Sequence, residues 1–198
     1  RLLLNFSWWI NRKDPLGRVW QQQYDGAGNL TAATDPASRV ATMTYDGLNR
    51  LTVAQDALGG VTSFAYDAND NLTRITDPTQ RAIAYTADSL NRLTSITYAD
   101  GGQEQFTYDS LGHLTQVIDA RNRSRSYAYD AAGRMIQKQV QGGPSARYRY
   151  DDHDQLTHVD AGTQQTDLAY LANTPGYLLA ERQVTPDLPL TVSVDYAY

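Results

Sequence analysis

The chain keeps a 21-residue clock. A Tyr-Asp pair falls at Tyr24-Asp25, Tyr45-Asp46, Tyr66-Asp67, Tyr108-Asp109, Tyr129-Asp130 and Tyr150-Asp151, and the one missing beat, Ala87-Asp88, keeps the Asp and the register. Self-similarity at a fixed period of this size marks a repeat array, in which each unit contacts mainly its neighbours. The unbroken spacing favours one continuous array over two independent domains. It divides the chain into a degenerate leading repeat (1–23), a regular array (24–169) and a degenerate trailing repeat (170–198).

Counting each Tyr as position zero, position four is Gly28, Asn49, Asp70, Asn91, Gly112, Gly133 or Asp154. Only the residue types that accept positive φ most cheaply occur there. The Asp three residues earlier can bond forward to backbone amides in an Asx-type turn. Tyr-Asp therefore reads as a strand end followed by a hairpin turn. A second turn lies half a period away, at Asp14-Pro15, Asp35-Pro36, Asp56-Ala57, Asp77-Pro78 and Asp119-Ala120. Pro after Asp presets φ for a type I or II turn. After Ala87 this second turn is expected to shift to Asp100-Gly101-Gly102, and in the repeat of Tyr129 to become Gly142-Gly143-Pro144.

Two turns per period leave two strands of about five to seven residues, the usual strand length. In the strand entering Tyr-Asp, Met43/Tyr45, Phe64/Tyr66, Phe106/Tyr108, Tyr127/Tyr129 and Tyr148/Tyr150 alternate with small or polar residues. Period-two alternation puts these side chains on one face. The returning strand carries Leu30, Leu51, Leu72, Leu93, Leu114, Met135 and Leu156 at position six, then Ile75, Ile96, Val117 or Val159 at position nine. A spacing of three does not fit a flat strand and is compatible with a bulge. A lone hairpin is marginal in water, so neighbouring repeats must complete each other's hydrogen bonds. The expected fold is all-β, an antiparallel β-hairpin array with the Tyr and Asp residues in parallel columns.

Charge and composition restrict the function. Lys plus Arg number 17 against 22 Asp plus Glu, with no basic block, which disfavours a nucleic-acid partner because phosphate binding needs concentrated positive charge. Cysteine is absent, excluding disulfides and thiolate metal sites. The opening apolar run is interrupted by Arg1, Asn5 and Ser7 and is far shorter than the roughly 20 residues a membrane span needs. The chain opens on Arg1 and closes in an expected strand, Val194 to Tyr198, as a segment of a longer array would.

The units YDGLNRLT (Tyr45–Thr52) and DPLGR (Asp14–Arg18), with an aromatic-x-Tyr strand between such turns, resemble the YD-repeat or RHS-repeat family over about residues 14–170. The short, cysteine-free repeats look more like its bacterial polymorphic-toxin branch than like animal teneurins. The resemblance implies a strand ribbon spiralling into a curved, hollow shell around a C-terminal toxin domain or other protein cargo, in a secreted or cell-surface effector. It also implies a self-cleaving, aspartate-bearing core-terminating motif. Asn173-Thr174-Pro175-Gly176 does not match that motif, so cleavage is not carried over.

The expected role is therefore a structural shell segment, with neighbouring repeats and cargo as partners and without catalysis, cofactor or metal. Tyr24, Asp25, Tyr45, Asp46, Tyr66, Asp67, Asp88, Tyr108, Asp109, Tyr129, Asp130, Tyr150, Asp151, Gly28, Gly112 and Gly133 are its structural repeat residues. A calcium column would need several oxygens per ion, whereas each Asp has its own turn to cap. His113, His153 and His158 are not repeated and read as solvated surface. The main rival is a carbohydrate-binding adhesion module that stacks sugars on the tyrosine face. A hydrolase built on Asp130, Asp151 or His153 is a weaker third.

Overall fold

A computed structural model describes residues 8–162, 164–170, 178–184 and 192–195. The expectations for Asn173–Gly176 and for the strand end at Tyr196–Tyr198 lie outside the described residues. Every regular element among the described residues is a β-strand, and the chain divides into two compact units, residues 1–102 and 103–198.

In the first unit β1 (Trp8–Lys13), β2 (Val19–Tyr24), β3 (Leu30–Thr34), β4 (Val40–Tyr45), β5 (Leu51–Gln55), β6 (Val61–Tyr66), β7 (Leu72–Thr76), β8 (Ala82–Ala87) and β9 (Leu93–Thr97) pair antiparallel in chain order. In the second, the same meander runs through β10 (Gln103–Tyr108), β11 (Leu114–Ile118), β12 (Ser124–Tyr129), β13 (Met135–Val140), β14 (Ala146–Tyr150), β15 (Leu156–Ala161), β16 (Gln164–Tyr170), β17 (Leu178–Val184) and β18 (Val192–Asp195). The leading residues already follow the pattern: β1 and β2 form a hairpin in which the Trp8 ring stacks on Tyr24 at 5.8 Å.

The spacing of three between positions six and nine is a β-bulge. Tyr45 pairs with Leu51 while Thr44 pairs with Val53, leaving Thr52 as the extra residue. The same shift occurs at Tyr24, Tyr66, Ala87, Tyr108, Tyr129 and Tyr150. An extra residue interrupts the ladder, and Thr supplies its own repair. The hydroxyls of Thr31, Thr52, Thr94, Thr115 and Thr157 donate to the carbonyls of Gln23, Thr44, Thr86, Thr107 and Arg149 at 3.1–3.2 Å. The bulge also returns position nine to the aromatic face, giving cross-strand pairs Phe64–Ile75, Tyr85–Ile96, Phe106–Val117 and Tyr148–Val159.

One expected turn is corrected. The second turn after Ala87 does not shift to Asp100-Gly101-Gly102. It spans Tyr98–Gly102, with Tyr98 N–H donating to the Gly102 carbonyl at 2.8 Å and Gly101 N–H to the Tyr98 carbonyl at 3.0 Å. Tyr98 stands one period after Asp77, so the clock holds and only the residue type changes. Asp100 caps from within the loop, accepting the Gly102 amide at 3.0 Å. Gly142 and Gly143 do form the later turn, closed by Gly143 N–H to the Val140 carbonyl.

Burial is shallow. Among the described residues only Val117 is buried, at 8% exposure. Among the described residues each strand contacts only its neighbours in the sheet, so within each unit the apolar rows are half-covered and the strands are held together laterally.

Candidate functional site

The recurrent chemistry of each unit lies in the Tyr-Asp turns. Asp46 shows the local construction. Its amide donates to the Arg50 carbonyl at 2.9 Å, and its carbonyl accepts from Asn49 at 3.0 Å. Its Oδ1 accepts the Leu48 and Arg50 amides at 2.9 and 3.0 Å, and its Oδ2 accepts Arg50 Nε at 2.7 Å. Position four is left-handed throughout, from Asn91 at φ 61° to Gly28 at φ 94°. The carboxylate thus fixes the turn and aims the position-five side chain.

That aim carries the contact to the next repeat. Arg50 Nη1 donates to the Asp67 carbonyl at 3.1 Å and to Asp70 Oδ1 at 2.6 Å, and its guanidinium lies 4.7 Å from the Tyr66 ring centroid. Arg134 repeats this with Asp151, Asp154 and Tyr150 at 3.1, 2.7 and 4.9 Å. Where position five is Asn, the next position four is Asn: Asn29 donates to Asn49 at 2.9 Å and Asn71 to Asn91 at 2.8 Å. The contact also runs backwards. The hydroxyls of Tyr45, Tyr66, Tyr129 and Tyr150 donate to the carbonyls of Leu30, Leu51, Leu114 and Met135 at 2.9–3.0 Å. The ladder between β5 and β6 ends at Val53–Ser63, short of Leu51, so the phenol closes the gap where the strands part. The motifs of Tyr45, Tyr66 and Tyr129 are two-way latches.

The sequence profile of the Teneurin YD-shell matches residues 18–192. The chain belongs to the YD-shell family. No curated protein matches it. Solved structures similar to it include TcdB2-TccC3 (TM-score 0.56, 15% identity, 94% of this chain), TcdB2-TccC3-Cdc42 (0.54, 13%, 96%) and the Photorhabdus luminescens Tc holotoxin pore (0.53, 14%, 96%). At these identities the likeness is one of fold, an all-β antiparallel repeat array. The chain spans 13–14% of the length of those structures.

Within this YD-shell chain the two margins differ. The second turns reuse the carboxylate cap: Asp35 Oδ1 accepts the Ala37 and Arg39 amides, and Oδ2 accepts Arg39 Nε at 2.6 Å. There the arginines project outward, with Arg39 and Arg81 side chains 64% and 74% exposed against 23% for Arg50. Arg50 and Arg134 at the Tyr-Asp margin bridge repeats, while Arg39 and Arg81 at the other margin close their own loops.

Electrostatics follow the hydrogen bonds. The Arg50 side chain, then its amide, hold the Asp46 carboxyl below the usual carboxylate range. The Thr79 hydroxyl and the Arg81 amide bring Asp77 down to about 2, and the Arg123 amide and side chain do the same for Asp119. Burial pushes the Tyr45, Tyr129 and Tyr150 hydroxyls up.

Two histidines differ from the expectation of solvated surface. His113 takes the position-five role, with Nδ1 2.9 Å from Asp109 Oδ2 and its ring stacked 4.7 Å from Tyr129. His158 Nδ1 lies 2.6 Å from Asp167 Oδ1 on the adjacent strand. His153 sits exposed in its turn. The Asp25, Asp46, Asp67, Asp88, Asp109, Asp130 and Asp151 carboxylates each accept two backbone amides of their own turn. Among the described residues no group of three His, Asp or Glu is placed to hold a metal ion. Position five and the bulge Thr were the functional positions that sequence reading missed; the pairing of residues 20 apart, Arg50 with Asp70 and Arg134 with Asp154, was the available signal.

Proposed function

We propose that the chain is a structural, non-catalytic segment of a YD-repeat shell that sequesters a toxin or other protein cargo in a secreted bacterial effector. The latch carries this reading. The hydroxyls of Tyr45, Tyr66, Tyr129 and Tyr150 and the side chains of Asn29, Arg50, Asn71 and Arg134 are committed to the neighbouring repeat, an arrangement that makes a continuous wall and leaves these tyrosines little freedom to act as sugar platforms. The uncovered apolar rows give such a wall a face suited to an enclosed surface. Similarity to toxin-complex structures supports the fold that this role requires.

Protease protection tests it. In the native protein, cargo resists trypsin with the wall intact and becomes cleavable when Tyr129→Phe and Arg134→Gln open the latch. Cargo digested equally fast with the wall intact sinks the proposal. Glycan binding abolished by Tyr127→Ala and Tyr148→Ala would replace it with the adhesion reading.

A further inference from the structure

The missing Tyr leaves a shaped vacancy. The repeat at Ala87 shares with the repeat at Tyr45 the residues on the side of the preceding unit, while Tyr85 takes the place of Met43 on its own strand. Asn29, Leu30 and Asn49 frame Tyr45, with Asn29 donating to Asn49 and the Leu30 carbonyl accepting the phenol at 2.9 Å. Asn71, Leu72 and Asn91 recur in the same places one pair of repeats later, with Asn71 donating to Asn91 at 2.8 Å. The β7–β8 ladder stops at Arg74–Ala84, as the β3–β4 ladder stops at Ala32–Thr42. Position zero, however, holds a methyl group. A cavity of about 220 Å³ opens there, lined by Asn71, Leu72, Tyr85, Ala87, Asn91 and Leu93 among others.

We propose that this notch binds a para-substituted phenol, whose ring takes the space of the absent Tyr and whose hydroxyl donates to the Leu72 carbonyl. The surrounding side chains are the mould in which this molecule seats its own tyrosines. Apolar walls from Leu72, Ala87 and Leu93 take the ring. A carbonyl at the far end selects a hydroxyl donor, because the same carbonyl in four other repeats accepts one. The site lies wholly in the first unit. It does not depend on what the wall encloses.

The experiment is ligand-observed saturation-transfer NMR on the full chain with p-cresol as probe. A saturable signal is expected, lost in Ala87→Tyr, which fills the notch from within, and lost likewise in Ala87→Leu should the first variant fold poorly. Toluene should bind roughly three- to tenfold more weakly, the worth of one hydrogen bond. N-acetyltyrosinamide separates the sources: binding as well as p-cresol points to a tyrosyl side chain of another polypeptide, and weaker binding to a free phenol. No saturable p-cresol signal, or one unchanged in both filled variants, overturns the proposal.

Discussion

Replacing Tyr129 by Phe keeps the ring, its stack on His113 and the strand register, and removes one hydroxyl that donates to the Leu114 carbonyl at 2.9 Å. A net intramolecular hydrogen bond contributes roughly 0.5–1.5 kcal/mol. The carbonyl left behind is half-covered and regains water in part, which keeps the cost near ~1 kcal/mol. For a chain of this length such a loss lowers the midpoint of thermal unfolding by about 2–4 °C, and in urea it shifts the midpoint by about 0.5 M at a typical denaturant slope. Tyr24 is the internal control: among the described residues its hydroxyl meets only the Gln22 side chain, at 3.3 Å within its own strand, so Tyr24→Phe should change nothing measurable. Tyr45 and Tyr129 belong to separate units and share no hydrogen-bond partner, and independent sites add to within about 0.5 kcal/mol. The double Tyr45→Phe/Tyr129→Phe chain should therefore lose ~2 kcal/mol. Equal midpoints for Tyr24→Phe and Tyr129→Phe would refute the claim that the phenol joins repeats.

Acid should loosen the array in a defined window: carboxyls held below their unfolded value stabilise above about pH 4, and that contribution disappears as pH falls towards about 2, where Asp77 and Asp119 titrate; the check is circular dichroism across this range, with Asp77→Asn and Asp119→Asn flattening the curve. Arg50→Asn alone should destabilise, and adding Asp70→Asn should restore much of the loss by recreating the Asn29–Asn49 pair, measured as a double-mutant cycle whose coupling shrinks at high salt. Gly133→Asp alone should destabilise, because a Cβ at that position would meet His113 Nε2 at 2.9 Å on a backbone with φ +81°; His113→Arg added to it should recover stability by supplying the bridge seen at Arg134. Deleting one whole period, Tyr45 to Ala65, should leave β content per residue nearly unchanged by circular dichroism, whereas deleting about half a period should collapse it, since strands would present the wrong face.

The turns were legible because their constraints are local. A position restricted to Gly, Asn and Asp announces positive φ, and the preceding Asp announces a cap, without knowledge of any other strand. The bulge was half-legible: the step from Leu72 to Ile75 breaks the period of two, but only pairing shows that Thr73 is the surplus residue. The Asp100-Gly101-Gly102 reading failed because a strong local turn signal outweighed the clock. Counting 21 from Asp77 lands on Tyr98, where the turn in fact begins. Here long-range period was the better guide than local propensity.

The latch lay outside reach for a different reason. Its partners sit 20 residues apart, so each choice looks arbitrary within its own unit: Arg50, Asn71 and His113 share a slot with no common chemistry. The logic emerges only when each is set against position four of the following unit. Arg50 and Arg134 face Asp70 and Asp154, Asn29 and Asn71 face Asn49 and Asn91, and His113 faces Gly133, where a side chain would collide with its ring; Arg92, followed in the next repeat by Gly112, stands outside this matching. Position four must satisfy two demands at once, a left-handed backbone and a partner for its neighbour. Gly, Asn and Asp all meet the first; at every junction from Asn29 to Arg134 except that of Arg92, the choice also suits the side chain of the preceding repeat. A uniform repeat needs no such choice, and its strands could slip by one full period without penalty. Matched pairs that differ along the chain put a mismatched partner in the path of any such slip. The irregularity that obscures the repeats therefore helps to hold them in register.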